Sequence, residues 1–247
     1  MDLKKIGSQT AKDGFKNEKD IVNKFNNWRK DKIAQEWLKI MGYKLEEIEF
    51  VEAIIISGYK TDVQVQVRIR LKKAIDVENL QVKLVSNIRG YNQIDKRKVD
   101  KYIEMWNIPD NVAKILKKYT GEIKPTIKNP RDNRRTFMDE FSKKSQDILI
   151  NWLEKNRYLI INDIIKGRGK FAAEWMLVAQ KIDKNARWVL KSINVVVNYF
   201  GNGKIIITHR GSIKIGKITM QRKGGDGGRN TAKMLQFKIN PAELFDI

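Results

Sequence analysis

A carboxylate, an amide and an amine fall close to one another in pattern: Asp62, then eighteen residues, then Gln81-Val82-Lys83. A hard divalent cation such as magnesium takes oxygen ligands, keeps several waters, and is held by one or two carboxylates together with substrate phosphate. Asp62 supplies the carboxylate. The Gln81 side-chain carbonyl and the Val82 main-chain carbonyl can complete the protein's share of ligands without adding charge. Lys83 beside them can orient an attacking water, lower its pKa and stabilise charge developing on phosphorus oxygens. The chemistry this set suits is metal-dependent hydrolysis of a phosphodiester. The same residues also read as the wet side of an ordinary amphipathic hairpin. In so lysine-rich a chain comparable triplets recur, as at Asp2-Leu3-Lys4, Glu122-Ile123-Lys124, Gln221-Arg222-Lys223 and Gln236-Phe237-Lys238. Only the Gln81 triplet follows an aspartate that opens its own strand.

Those residues must be positioned by the stretch from Thr61 to Ser86. Val63, Val65, Val67, Ile69 and Leu71 alternate with Asp62, Gln64, Gln66, Arg68 and Arg70, the period of a strand with one buried face. Leu80, Val82 and Leu84 alternate with Gln81 and Lys83 in a second, shorter strand. A fold between Lys72 and Asn79 then places Asp62, Gln81 and Lys83 on one polar face.

Asp62, eighteen residues and Gln81-Val82-Lys83 resemble the signature of the PD-(D/E)XK nuclease superfamily. Within it the chain is similar to the small type II restriction endonucleases that cut four-base CG-rich sites, the GCGC cutters and the structurally related MspI type. Further blocks carry the likeness: Asn87 to Lys96 (NIRGYNQIDK), Gln221 to Arg229 (QRKGGDGGR) and Met234 to Lys238 (MLQFK). It spans essentially the whole chain. Two departures stand out. Thr61 replaces the superfamily's proline, and Gln81 replaces its usual acid, which leaves less negative charge for a metal.

The resemblance implies an α/β fold, with a central mixed sheet flanked by helices as a restriction-endonuclease-like core and a DNA-recognition subdomain added to it. It implies magnesium as cofactor, double-stranded DNA as substrate, cleavage of GCGC after its first G, and a cognate DNA methyltransferase that protects the host. In this superfamily the first helix often lends a glutamate to the metal, and Glu18 is the residue so placed; a solvated helix face is the other reading of Glu18. By the same likeness Tyr91 stands where a minor-groove wedge is expected, with Gln93 close by.

Composition narrows the alternatives. A net charge of +21, from 50 Lys and Arg against 29 Asp and Glu, calls for a polyanionic partner. No apolar run approaches a membrane span and no lipidation motif is present, so nucleic acid is expected rather than a membrane. With no cysteine and a single histidine, His209, thiolate nucleophiles, zinc fingers and Ser-His-Asp triads are excluded or disfavoured. The lack of cysteine suits a cytoplasmic protein.

In chain order, Asp13 to Trp28 is expected as an amphipathic helix, Ile33 to Met41 as a second, and Glu52 to Ser57 as a buried strand. The polar segment after Lys83, with Arg89, Gly90, Tyr91, Gln93 and Lys96, is expected to face DNA, its cations on phosphates and its aromatic ring against bases. Helix is expected from Asp100 to Tyr119 with a break at Pro109. Gly121 to Arg135 is read as a linker, dividing a catalytic core at 1–125 from a recognition part at 126–247; its basic run reads as a solvated face, with Arg134 and Arg135 able to contact phosphate. Helices at Ser142 to Asn156 and Ser192 to Phe200, a strand-like run from Tyr158 to Ile165, and strands within Val178 to Leu190 and at Ile205 to Ile207 complete the pattern. Gly167-Arg168-Gly169-Lys170 reads either as a phosphate-binding turn or as a tight basic hairpin turn. Near the C-terminus Arg222, Lys223 and Arg229 can donate to guanine O6 and N7, while Asp226 can accept from cytosine N4; Asn230, His209 and Arg210 lie within reach of the same role.

Two other functions remain open on sequence: a structure-selective repair or junction nuclease of the same fold, and a non-catalytic nucleic-acid-binding protein. The chain is expected to act as a monomer or a weak homodimer.

Overall fold

Met176, Leu177, Val178 and Ala179 are buried without interruption, the mark of a strand covered on both faces. They belong to β5 (Trp175–Ile182), the fourth strand of a five-stranded mixed sheet in a computed structural model that describes residues 3–69, 74–87, 90–182, 185–225 and 229–247. The strand order is β1 (Ile48–Ile55), β2 (Val63–Ile69), β3 (Ala74–Val85), β5 and β6 (Asn185–Ser192). β3 and β5 run parallel, with Gln81 opposite Met176 and Lys83 opposite Val178; the other pairs are antiparallel.

One face of this sheet is covered by helices. Ile21, Phe25 and Trp28, from α1 (Leu3–Asn26) and the turn after it, and Ala34, Trp37 and Leu38 of α2 (Lys32–Ile40) pack with Val51, Ala53, Val63, Val65, Leu80, Val82, Leu177 and Leu190. α2 starts at an Asp31 cap, whose Oδ1 accepts from the N–H groups of Ile33 and Ala34. After it the chain turns at Gly42, as a helix-ending glycine predicts. α1 is longer than the expected Asp13 start, and Phe15 points to solvent, 61% exposed, rather than into the core.

The β2–β3 hairpin differs in length from the sequence expectation. β3 begins at Ala74 and its ladder with β2 runs from Ile69↔Ala74 to Val63↔Leu80. Ile75, Asp76 and Val77, expected in the turn, are paired but exposed. Ile75 and Val77 do alternate with Asp76 and Glu78, but both apolar side chains are exposed, 48% and 43%. β1 likewise begins earlier than Glu52, and Ile54 and Ile55 are partly exposed, because β1 is an edge strand.

A second sheet has the order β4 (Asn92–Arg97), β10 (Leu235–Ile239), β9 (Ile218–Arg222), β8 (Ile213–Ile215) and β7 (Ile205–Ile207). Ile213, Ile215, Ile218, Leu235, Phe237 and Ile239 form its buried positions. Tyr102, on α3 (Val99–Trp106), stacks on Trp106 at 4.6 Å, meets Phe237 edge-on and donates to Asp95 Oδ1 at 2.5 Å. α4 (Asp110–Thr120) follows after Pro109, and Tyr119 donates its hydroxyl to the Met220 carbonyl. α5 (Lys143–Lys155) carries a Ser142 cap, as its sequence predicts.

The apolar run from Tyr158 to Ile165 is helix, not strand: α6 spans Arg157–Ile165 and buries Ile160, Ile161, Ile164 and Ile165. A short apolar run has no period that separates the two, and here the i, i+4 pairs settle it. Gly167-Arg168-Gly169-Lys170 therefore joins a helix to β5 and is not a hairpin turn. The last helix is α7 (Ile193–Gly201).

By contacts the chain forms two compact units that interleave along the sequence. One comprises Asp2–Asn92, Ile165–Val196 and Asn240–Ile247; the other comprises Gln93–Ile164 and Val197–Ile239. A single cut near residue 125 does not separate them. Among the described residues no helix is long and apolar enough to cross a membrane.

Candidate active site

Strand β2 begins one residue after Asp62, and there a side chain takes over from the main chain. The Asp62 N–H still donates to the Leu80 carbonyl at 2.9 Å, but the N–H of Val82 finds its acceptor in Asp62 Oδ2, at 2.7 Å. The carboxylate is thus tied to the strand that carries Gln81 and Lys83. Lys83 Nζ lies 3.6 Å from the same oxygen, both side chains being mostly buried. At that separation the pair interacts as charges without a short hydrogen bond, and partial burial limits screening by salt.

Gln81 is 2% exposed, and its Oε1 has no hydrogen-bond partner among the described residues. An unpaired buried carbonyl costs on the order of 1–3 kcal/mol, which a cation would offset. Glu18 completes the cluster from α1. Burial, and then the negative charge of Asp62, raise its carboxyl to about 7, against the opposing effect of Lys83. α1 is held in place by an Asp20–Lys181 ion pair at 2.7 Å and by Asn26, whose amide bonds both the N–H and the carbonyl of Ala53. The structure therefore brings Asp62, Gln81, Val82 and Lys83 together and sets Glu18 within reach of their charges.

Thr61 explains one departure from the superfamily pattern. It is fully buried, and its hydroxyl donates to the Phe171 carbonyl at 2.9 Å, a bond proline cannot make. Gly167 (φ +82°) lets that loop close in: a Cβ there would meet Lys60 Cγ at 2.5 Å. Sequence reasoning missed Asn17, next to Glu18, which is 2% exposed with neither amide atom partnered among the described residues. A polar residue within a helical pattern carries no signal of burial.

The donor set fits a hard cation. One carboxylate, a second near its titration point, an orphaned amide oxygen and a main-chain carbonyl are all oxygen ligands. Among the described residues no three His, Cys, Asp or Glu side chains gather as a metal cluster, so uncharged oxygens are needed to complete any such site.

Of the residues expected to face DNA, Arg89 and Asp226 lie outside the described residues. Tyr91 is 52% exposed. Gln93 and Lys96 are exposed on β4, and Gln93 Oε1 accepts from Gln236 Nε2 at 2.7 Å. Gln236 Oε1 in turn faces Gln221 Nε2 at 3.4 Å, so three glutamines form a row across β4, β10 and β9. The row is visible only once the strands are paired, and Gln236 at its centre is buried. His209 and Arg210 are exposed in the turn between β7 and β8, and Arg229 and Asn230 are exposed before β10. Arg222 and Lys223 line a cleft at the end of the β9–β10 hairpin.

A helix-flanked mixed sheet with a carboxylate and a lysine joined across a β2–β3 hairpin defines a restriction-endonuclease-like protein. Residues 41–245 match the model of the R.HinP1I restriction endonuclease family, and the chain belongs to that family. It is accordingly a type II site-specific deoxyribonuclease, an enzyme that acts on DNA and depends on a metal. Its fold is similar to that of restriction endonuclease MspI, solved in complex with its cognate DNA: TM-score 0.67, 18% identity, over 96% of this chain and 93% of that one. No curated protein sequence matches the chain.

Proposed function

We propose that the enzyme hydrolyses double-stranded DNA at GCGC, after the first G, with magnesium as its metal, and that Asp62, Gln81 and Lys83 carry the reaction. The observation that supports this reading is the tether of Asp62 Oδ2 to the Val82 N–H, with Lys83 Nζ 3.6 Å away and an unpartnered Gln81 carbonyl on the same strand. Asp62, the Gln81 side chain and the Val82 carbonyl would hold the metal, with Glu18 as a further ligand. When bound, the metal would acidify water and neutralise charge on the scissile phosphate. Lys83 holds the attacking water in line and stabilises negative charge on the phosphorus oxygens. Asp62 keeps that ammonium in place.

Recognition falls to the polar residues of the loops and of β4. Tyr91 is the wedge between bases, with Gln93 beside it and Arg89 and Lys96 on phosphates. Arg229 and Asp226 suit a G·C pair as donor and acceptor respectively, with Asn230, His209 and Arg210 in support. MspI was solved with its cognate DNA, which favours a duplex substrate here. We place the enzyme in the cytoplasm with a methyltransferase of the same specificity. It would act as a monomer or weak homodimer; a single chain on a palindrome would nick one strand at a time.

Digestion of plasmid, unmethylated and methylated at GCGC, tests the proposal. Discrete fragments whose ends map to GCGC, blocked by methylation, are expected. Cleavage without site preference would point to a structure-selective nuclease, and binding without cleavage to a non-catalytic role.

Glu18 supplies a pH signature. Its ordinary value of 4.5 is raised to about 7 in the fold, so the stability that comes from keeping it neutral is complete below about 4.5. That stability is lost as pH rises through about 7. A cation favours the ionised form, so metal binding should tighten over the same interval. Titration with manganese as a spectroscopic stand-in should show affinity rising with pH through about 7, and a flatter profile in Glu18→Gln. Identical profiles would remove Glu18 from the site.

A further inference from the structure

Gly121 has φ +82°, and a Cβ there would meet the Arg134 carbonyl oxygen at 2.1 Å, so the segment read from sequence as a linker is folded tightly onto the end of α4. Thr136 N–H reinforces this by donating to the Lys118 carbonyl. The closure forms one wall of a cleft of about 600 Å³ whose opposite wall is the end of the β9–β10 hairpin. Lys124, Arg134 and Arg135 line one side and Arg222, Lys223 and Lys233 the other, with Asp132 as the single acid among the described lining residues.

That acid is already committed. Asp132 Oδ1 accepts from Arg134 N and Nε at 2.9 and 2.8 Å, and Oδ2 from the Arg134 terminal nitrogen at 3.0 Å. Among the described residues Arg135 and Arg222 have no carboxylate at ion-pair distance, and Arg222 Nε is buried with no hydrogen-bond partner. Arg135 is fixed in shape: its guanidinium lies 3.8 Å from the Phe137 ring centroid, which Arg131 also approaches at 4.3 Å. Burial lowers the pKa of both Arg135 and Arg222, and neighbouring arginines add to the effect. Two partly desolvated like charges held by packing are unfavourable in the free protein. A ligand that brings negative charge relieves them, whereas a neutral base edge does not.

We propose that this cleft clamps a backbone phosphate of the DNA. The assignment moves Arg222 from guanine reader to phosphate contact, adds Lys124, and joins both to Arg135 in one cleft. It rests on DNA being the substrate, and Arg135 is a positioning and binding group, remote from any claim about the chemical step.

The test is metal-free binding of Arg135→Gln and Arg222→Gln to a GCGC duplex and to a random duplex across a salt series. A phosphate contact predicts an equal loss on both duplexes, roughly tenfold for one charge-assisted bond. It also predicts a log-affinity against log-salt slope shallower by about one. Loss confined to the GCGC duplex would overturn the proposal in favour of base reading, and unchanged affinity and slope would overturn it outright. Lys124→Gln, at an exposed rim position, gives the same readout should Arg135→Gln fail to fold. A second readout is thermal: inorganic phosphate should raise the melting temperature of the wild type beyond chloride of equal ionic strength, and lose that excess in Arg135→Gln. Plasmid digestion by the wild type stays separate, so failure of the clamp and failure of the nuclease reading are distinguishable.

Discussion

Asp62→Ala and Lys83→Ala should each reduce the single-turnover rate of DNA cleavage by on the order of a thousandfold or more, with affinity for the duplex nearly unchanged. Removing one preorganised donor from a developing oxyanion already costs about a hundred- to a thousandfold, and Asp62 would carry in addition the charge that holds the metal. Neither side chain is fully exposed, so binding energy contributed by the basic surface elsewhere is untouched. Asp62→Asn sharpens the test. It keeps an oxygen for the Val82 N–H, now accepting at 2.7 Å, and so preserves the hairpin while deleting the charge. An inactive, normally folded Asp62→Asn assigns the loss to chemistry; cleavage at the wild-type rate by it or by Lys83→Ala would remove this site from the enzyme.

Phe25→Ala should carry the largest stability effect in the unit that holds the hairpin, about 3–5 kcal/mol. Phe25 is fully buried, lies 5.2 Å from the Trp37 ring and belongs to the cluster that seats α1 on β1, β2 and β3. The cavity cannot close cheaply, because helix and sheet are pinned on either side by Asn26 to Ala53 and by Asp20 to Lys181. Urea denaturation should show a lower midpoint with an unchanged slope. Because α1 also carries Glu18, the variant's metal affinity should fall at temperatures where it is still folded. A loss below about 1 kcal/mol would mean that this helix is not seated on the sheet as described.

Elements with a complete local signal were legible before folding. The alternation from Asp62 to Ile69, the helix start at Ser142, the stop after Met41 and the break at Pro109 each report on their own neighbours in the chain. Where two conformations bury the same residues, the sequence was ambiguous, and Tyr158 to Ile165 became helix because its partners face it in helical steps. The segment Gly121 to Arg135 looked like a linker because prolines and charges dominate it. Its fold depends on a close approach of Gly121 to Arg134 that no local pattern records.

By itself the sequence determined the chemistry on offer: a lone carboxylate, an amide and an amine at hairpin spacing, an excess of cations for a polyanion, and no thiol or histidine cluster to compete. Only the tertiary structure decided which groups share a space. It brought Glu18 within the field of Asp62, left the Gln81 carbonyl buried without a partner among the described residues, turned Thr61 toward Phe171, and gathered arginines nearly ninety residues apart (Arg135 and Arg222) into one cleft. Composition and spacing are properties of the chain and survive unfolding. Desolvation and charge–charge coupling depend on distances through space, which exist only after the core has closed.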